Sequence, residues 1–210
     1  MKKCASFIET RIGNNYIDSI NNHLRHLCGW DFFVLTTKKS WNSFYNCLNL
    51  KFKYINEIKD SNDYNKMLTS FDFWNFFVKK KYDRVLICQH DSGLLLNNID
   101  DYLEYDYVGS PWDFQEHGGN GGLSLRNPKV MRDICSNFLF DTSYFNEDIF
   151  FCDIMYKQKI GNMAPREVCR KFSMEVILEL NTTGYHGIEK YHHPNVVDTI
   201  KSQEIISSKL

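Results

Sequence analysis

An uncharged apolar run at residues 85–88 ends abruptly on a polar cluster that begins at Gln89 and ends at Ser92. Such a short run between polar residues is typical of a strand that is buried on both faces. Strands of this kind belong to open α/β sheets, which bind ligands just beyond the carboxyl ends of their strands. The cluster contains an imidazole and an acid, His90 and Asp91, and this favours a metal and phosphate site. Asp91 and Ser92 are also good turn formers, so the cluster alone is equally consistent with a simple turn.

The N-terminal part of the chain alternates between strand and helix patterns. Residues 4–8 and 31–36 are short apolar runs that predict strands, and residues 16–27 carry apolar side chains on one helical face. This order predicts a parallel, Rossmann-like sheet, and therefore an α/β fold. Later patterns predict helices at 40–50, within 63–81, and at 129–138, 149–156 and 165–172, strands at 52–58, 106–112, 123–126 and 175–180, a glycine-dense loop at 118–122 and a turn at 183–187.

The composition argues against several classes of partner. The 210 residues carry a formal net charge of −1, so we expect no long-range attraction to nucleic acid or to anionic membranes. No apolar run approaches the roughly 18 residues that span a bilayer, and the basic start is not followed by the core of a signal peptide, so any membrane contact is expected to be peripheral. The seven cysteines form no CxxC pair, which favours a reduced, cytoplasmic protein.

Candidate chemistry lies in four groups of polar residues at predicted strand ends or loops. In an open α/β sheet such positions converge on one edge. Carboxylates and imidazoles bind divalent ions there, and phosphate oxygens supply further ligands. The glycine loop lacks the pattern of a P-loop, so it does not predict that kind of phosphate site. The four groups are Glu9 with Arg11, the cluster from Gln89 to Ser92, the glycine loop with Glu147 and Asp148 after it, and His186.

Seven short motifs follow one another in an order that resembles a known family. They are DYNKML at 63–68, FW at 73–74, VLICQHDS at 85–92, YDYVGSPW at 105–112, GNGGLSLR at 119–126, NED at 146–148 and GYHG at 184–187. From about residue 4 to residue 193 the chain resembles a family of glycosyltransferase-like domains of unknown function, which is similar to the GT-A class of nucleotide-sugar glycosyltransferases. The resemblance implies a GT-A-like, Rossmann-type three-layer sandwich with a mostly parallel central sheet. It also implies a single domain over 1–210, with a nucleotide-binding half at about 1–93 and an acceptor half at about 94–193.

The resemblance implies a metal site. In the GT-A class a strand-end motif of two acids holds Mn²⁺ or Mg²⁺ against the diphosphate of the donor, and a histidine near the C-terminal end completes the site. Asp91 and His186 match these positions. The motif is degenerate, because Asp91 is the only acid in the stretch from His90 to Gly93. The alternative for His186 is a turn histidine with a backbone partner.

Catalytic and donor-binding roles follow from the same resemblance. Inverting members carry an acidic pair before a helix, and Glu147 with Asp148 matches this pair, with Asp148 as the base. The alternative is that the two acids only place favourable charge at a helix start. The loop glycines would let the backbone approach the donor sugar, or would form a bare hairpin turn. The residues implied to contact the donor are Glu9, Arg11, Gln89, His90, Asp91, Ser92, Gly121 and Gly122.

These assignments predict an enzyme that moves a sugar from a nucleoside-diphosphate donor, UDP-linked, to a hydroxyl of a glycan acceptor, with inversion and metal assistance. A positioned carboxylate contributes about 10²–10⁴-fold by taking the acceptor proton. Two alternatives stay open at this point. One is a nucleotide-sugar-binding module that keeps the fold without activity, and the other is a nucleotidyltransferase, which shares the Rossmann-like sheet.

Overall fold

The computed structural model describes residues 1–12, 16–41, 50–141 and 143–207. The strands are β1 (Lys3–Ile8), β2 (Asp31–Thr36), β3 (Lys51–Tyr54), β4 (Arg84–Cys88), β5 (Ser92–Leu94), β6 (Tyr107–Ser110), β7 (Asn120–Arg126), β8 (Ser173–Met174) and β9 (Gly184–His186). The helices are α1 (Ile17–His26), α2 (Ser61–Leu68), α3 (Phe71–Lys79), α4 (Pro128–Asn137), α5 (Glu147–Gln158), α6 (Arg166–Phe172) and α7 (Pro194–Ser207).

The central sheet has six strands in the order β3-β2-β1-β4-β7-β6. Its first four strands are parallel, and β7 is antiparallel to both of its neighbours, β4 and β6. A smaller sheet has the order β5-β9-β8. The predicted α/β fold with a mostly parallel central sheet is therefore confirmed.

Successive residues of the central strands point into two different helical layers. Phe33 and Val85 belong to a core that includes side chains of α2, α3, α4 and α5. Phe7 and Leu86 belong to a second core with side chains of α1 and α6. This alternation follows from the two-residue period of a strand, and it confirms the three-layer sandwich.

Several helices begin where a polar side chain satisfies a free backbone N–H group. Asp60 accepts a hydrogen bond from the N–H of Asp63 before α2, and Ser70 accepts one from the N–H of Phe73 before α3. Asn127 does the same before α4, whose first residue is Pro128. These caps agree with the residue types that favour helix starts.

Some predicted segments are wrong in detail. The residues 183–187 contain strand β9 and not only a turn, whereas no strand lies at 175–180, because the short pairing partner is β8 just before it. The glycine-dense segment belongs partly to β7, which begins at Asn120 and pairs with β4 and β6. The strand predicted at 52–58 is β3, which ends at Tyr54. Most of the predicted helix at 40–50 lies outside the described residues.

The C-terminal helix α7 packs on the smaller sheet through a cluster that includes Tyr185, Val197 and Ile200. This packing supports β9 beside β5, which begins at Ser92, the last residue of the polar cluster after β4. None of the helices in the described ranges combines the length and the apolar composition that crossing a bilayer requires.

Candidate active site

A cavity of about 420 Å³ opens where the carboxyl ends of β1 and β4 meet the first residues of β7 and α5. Most of the residues that the sequence predicts for the site line this cavity. They are Glu9, Arg11, Gln89, His90, Gly121, Gly122, Glu147, Asp148 and His186. Asp91 does not line the cavity but contacts His186 at its edge. The convergence expected for the edge of an open α/β sheet is therefore present.

Three polar atoms meet beside this cavity: Oε1 of Gln89, Oδ1 of Asp91 and Nε2 of His186. His186 Nε2 lies 3.1 Å from Gln89 Oε1 and 3.2 Å from Asp91 Oδ1. Asp91 Oδ1 is buried, and the described residues provide no hydrogen bond to it that meets the usual geometric limits. Two oxygens and an imidazole nitrogen suit a divalent ion. One of these three donors is the amide of Gln89. The described residues contain no group of three His, Cys, Asp or Glu side chains that could hold a metal ion.

Glu175 and Lys190 hold these groups in place. His186 Nδ1 lies 3.1 Å from Glu175 Oε1, and Lys190 Nζ donates to Asp91 Oδ2 at 2.8 Å. Burial lowers the pKa of His186, but Asp91 and Glu175 outweigh this effect and raise the pKa to about 9. Burial raises the pKa of Asp91, but His186 and Lys190 outweigh it and hold that pKa far below its usual range. Asp91 is therefore a carboxylate at neutral pH.

Asp148 lines the same cavity from the first turn of α5. Its Oδ2 accepts a hydrogen bond from the Gly121 N–H at 2.9 Å, and its Oδ1 accepts one from the Ile149 N–H at 2.8 Å. Burial first, and then the charge of Glu147, raises the pKa of Asp148 to about 7. A carboxyl group that faces a cavity with such a pKa can accept a proton near neutral pH.

Glu147 is engaged in a buried ion pair. Its carboxylate accepts hydrogen bonds from Arg126 Nη1 at 2.6 Å and from Nη2 at 2.9 Å. Arg126 also donates to Ser124 Oγ at 2.8 Å and to the Gly121 carbonyl at 3.3 Å. Burial lowers the pKa of Arg126, but the charge of Glu147 outweighs burial and raises it. Arg126 was not singled out by the sequence analysis, although it ends the GNGGLSLR motif.

Glu9 and Arg11 form a linked group at the end of β1. Glu9 accepts hydrogen bonds from Arg11 Nε at 2.9 Å and Nη2 at 2.6 Å. Arg11 Nη2 also lies 2.8 Å from His90 Nδ1. Burial lowers the pKa of His90, so this imidazole is a neutral acceptor for the guanidinium at neutral pH. The group joins the ends of β1 and β4 on one wall of the cavity.

Two glycines of β7 are required by close approach. A Cβ on Gly122 would lie 2.1 Å from His186 Nε2, and a Cβ on Gly121 would lie 2.5 Å from Arg126 Nη2 and Glu147 Oε1. The missing side chains therefore leave room for His186 and for the Arg126–Glu147 pair. Both glycines also line the cavity, so the close approach of a donor sugar to their backbone stays a prediction.

Ser92 departs from its predicted position. Its hydroxyl donates to the Gln89 carbonyl at 2.6 Å and lies 3.3 Å from His23 Nε2, and the residue does not line the cavity. The sequence analysis also missed Glu175 and Lys190. The only signal for Lys190 is its place four residues after His186, and Glu175 was assigned to a strand.

Comparison with solved structures relates this fold to sugar transferases. The chain is similar to the apo form of the glycosyltransferase GlyE of Streptococcus pneumoniae TIGR4, with a TM-score of 0.59 and 12% identity over 100% of this chain and 61% of that chain. It is also similar to the apo form of mouse xyloside xylosyltransferase 1, with a TM-score of 0.55 and 10% identity over 92% of this chain and 100% of that chain. At these identities the likeness shows the GT-A-like fold alone.

Comparison at the level of sequence gives a family. No curated protein matches the chain. The family model described as "Protein of unknown function (DUF5672)" matches residues 46–186, which is more than half of the chain. The chain therefore belongs to the DUF5672 family.

Proposed function

We propose that this protein is an inverting, metal-assisted glycosyltransferase that moves a sugar from a nucleoside-diphosphate donor, UDP-linked, to a hydroxyl of a glycan acceptor. One observation carries the proposal: a carboxyl group with a pKa of about 7, Asp148, lines the same cavity as Gln89 and His186. The GT-A-like fold supports it, since two glycosyltransferases of known structure share that fold. Fold alone would not carry it.

The residues beside Asp91 fit a divalent cation, Mn²⁺ or Mg²⁺. Asp91 Oδ1 is a buried oxygen that receives no hydrogen bond from the part of the chain that the structure describes, and it lies 3.2 Å from His186 Nε2. Glu175 lies at the other nitrogen of His186, as carboxylates do when they orient histidines that bind metals. Gln89, Asp91 and His186 would hold the ion, with His186 losing its Nε2 proton as the ion binds, and the ion would stabilise the charge that develops on the leaving diphosphate.

Positive side chains near the same edge would bind the donor phosphates. Lys190 is exposed, lines the cavity and pairs with Asp91 Oδ2. Arg11 is oriented by Glu9 at the end of β1. A charge-assisted hydrogen bond to a phosphate oxygen is stronger than a neutral one. We therefore assign donor binding to the half at about 1–93 together with His186 and Lys190, and acceptor activation to Asp148 in the half at about 94–193.

Asp148 would act as the general base. An acceptor hydroxyl is a poor nucleophile until its proton is removed, and Asp148 can take that proton only when it is ionised. The hydrogen bonds from Gly121 and Ile149 orient the carboxylate. Activity should therefore rise with pH through about 7.

The test is turnover of purified protein with Mn²⁺, a panel of UDP-sugars and a panel of hydroxyl acceptors. We expect release of nucleoside diphosphate, and we expect Asp148→Asn to lower kcat by about 10²–10⁴-fold with little change in the donor KM. Asp133→Asn on the exposed side of α4 is the control. Full transfer by Asp148→Asn would show that the base assignment is wrong.

Two further measurements separate the two alternatives. Calorimetric binding of UDP without turnover on any acceptor would favour a non-catalytic nucleotide-sugar-binding module. Release of pyrophosphate when a nucleoside triphosphate and a sugar 1-phosphate replace the UDP-sugar would favour a nucleotidyltransferase.

A further inference from the structure

Arg126 is a fully buried cation in the middle of aromatic side chains. Its guanidinium carbon lies 4.9 Å from the centre of the Tyr107 ring, 5.6 Å from that of Phe151 and 5.7 Å from that of Trp74. Burying a charge is costly unless the charge is paired and hydrogen-bonded. A neutral side chain would fill this space at a lower cost in folding free energy. The contacts that the guanidinium makes are therefore expected to have a function.

Those contacts surround the proposed base from two directions. Arg126 holds the carboxylate of Glu147, which directly precedes Asp148 in the first turn of α5. Arg126 also binds the carbonyl of Gly121, and the N–H of the same glycine donates to Asp148 Oδ2. The ion pair therefore fixes both the helix start that carries Asp148 and the strand residue that holds its side chain.

We propose that Arg126 and Glu147 are the positioning residues of Asp148, and that Glu147 acts through Arg126 and Asp148 without contacting the substrate. This inference rests on the proposed function, because it concerns the base of that reaction. It assigns to Glu147 a role different from that of a second catalytic acid. It also explains why β7 carries glycine at 121, where a Cβ would lie 2.5 Å from atoms of both partners.

The charges of Arg126 and Glu147 also affect the pKa of Asp148. Titratable groups of α2, β6, β7 and α5 lie near Asp148. Some of these groups are uncharged at neutral pH, because burial raises their pKa. The neutral groups are Tyr64, Tyr107 and Cys152. The charged side chains with the largest effect on the pKa of Asp148 are Glu147, whose charge raises it, and Arg126, whose charge lowers it.

The experiment compares Glu147→Gln with the wild-type protein over a range of pH. The substitution removes the negative charge and leaves that of Arg126 unbalanced, and both effects favour ionised Asp148. We expect the acidic limb of kcat/KM to move to lower pH by at least about one unit. We also expect kcat to fall by about tenfold or more while the donor KM stays within about threefold, because the carboxylate of Asp148 is displaced and the donor site is not.

If Glu147→Gln does not fold, the double variant Arg126→Met with Glu147→Met replaces it in the experiment. The double variant removes both buried charges and keeps side chains of similar volume. It should fold and lose kcat to a similar extent. The exposed pair Arg170 and Glu179, changed in the same way, is the control and should behave as wild type. A folded Glu147→Gln protein with the wild-type pH profile and kcat would overturn the inference.

A second measurement does not depend on turnover. Carboxyl ¹³C NMR, with the Asp148 signal assigned by its absence in Asp148→Asn, should show titration near pH 7 in the wild type and at lower pH in Glu147→Gln. An unmoved titration would overturn the inference even for an active enzyme. A moved titration in a protein that turns over no donor would overturn the proposed function, but it would still show that Glu147 sets the pKa of Asp148.

Discussion

Two acids near this cavity, the partly buried Asp91 and the buried Asp148, differ in the charges that face them. The pKa of Asp91 is held far below its usual range, whereas that of Asp148 is raised to about 7. Asp91 faces His186 and Lys190, whereas Asp148 is more deeply buried and faces Glu147. The proposed reaction needs both kinds of acid, an anion that binds cations and a carboxyl that exchanges a proton near neutral pH.

Stability should depend on pH through Asp148. Its pKa is raised in the folded state, so between about pH 4 and pH 7 the native protein keeps a proton that the unfolded chain has lost. The free energy of unfolding should therefore fall as pH rises across this window, by roughly 4 kcal/mol for a shift of about three units. Urea unfolding of Asp148→Asn should lack this part of the dependence. A difference between the two proteins that stays constant with pH would contradict the assignment.

Substitutions at the two β7 glycines should have separable effects. Gly122→Ala places a Cβ 2.1 Å from His186 Nε2 and should displace the imidazole. We expect a loss of about 1–3 kcal/mol in unfolding free energy from overpacking and weaker Mn²⁺ binding by calorimetry. The Cβ of Gly121→Ala would contact Arg126 and Glu147 and not His186, so this substitution should lower kcat more than it lowers the affinity for Mn²⁺. Equal Mn²⁺ affinity in wild type and Gly122→Ala would count against His186 as a ligand.

The sequence predicted which individual residues lie near the cavity. It predicted less well which partners those residues contact. Asp148 and His186 could be found because each stands in a short motif. The role of Gln89 beside His186 could not, since 97 residues separate the two. Glu175 and Arg126 were missed because a buried charge is recognised only by its partner, and the partner is set by the tertiary packing.

Among the elements, α5 matters most because its first turn carries Glu147 and Asp148. The residue at its N-cap, Asn146, makes no side-chain cap hydrogen bond. The cap comes from α2 instead, where Asn65 Oδ1 accepts a hydrogen bond from the Glu147 N–H at 3.2 Å. The position of the proposed base thus depends on the packing of α2 against α5.

Asn65→Ala should destabilise the protein more than Asn146→Ala. The first change removes the cap of α5 and should cost about 1 kcal/mol in unfolding free energy. The second removes no cap and should stay within about 0.5 kcal/mol. Chemical denaturation of both variants checks this difference, and an equal loss would show that Asn65 does not stabilise the helix start.

The elements that the sequence predicted are those with strong periodicity. The apolar runs of β1, β2 and β4 and the apolar face of α1 are visible in the sequence alone. The smaller sheet was not predicted, because β8 has two residues and β5 and β9 have three each. Segments this short show no period, and their pairing partners are distant in the chain.

The molecule as a whole joins its two proposed halves at one edge of the central sheet. The ends of β1 and β4 bring Glu9 and Gln89 to the cavity, and the starts of β7 and α5 bring Gly121 and Asp148. The smaller sheet adds His186 because β9 pairs with β5. Distant parts of the chain thus supply the proposed donor site and the proposed base of one cavity.

The most direct test is isothermal titration of the protein with UDP, in the presence and absence of Mn²⁺. We expect one UDP per chain and binding at least about tenfold tighter with Mn²⁺, a gain of about 1.4 kcal/mol. Asp91→Asn should lose that gain, whereas the exposed control Asp133→Asn should keep it. If UDP does not bind under either condition, or if Asp91→Asn keeps the full effect of Mn²⁺, the proposed donor site is wrong.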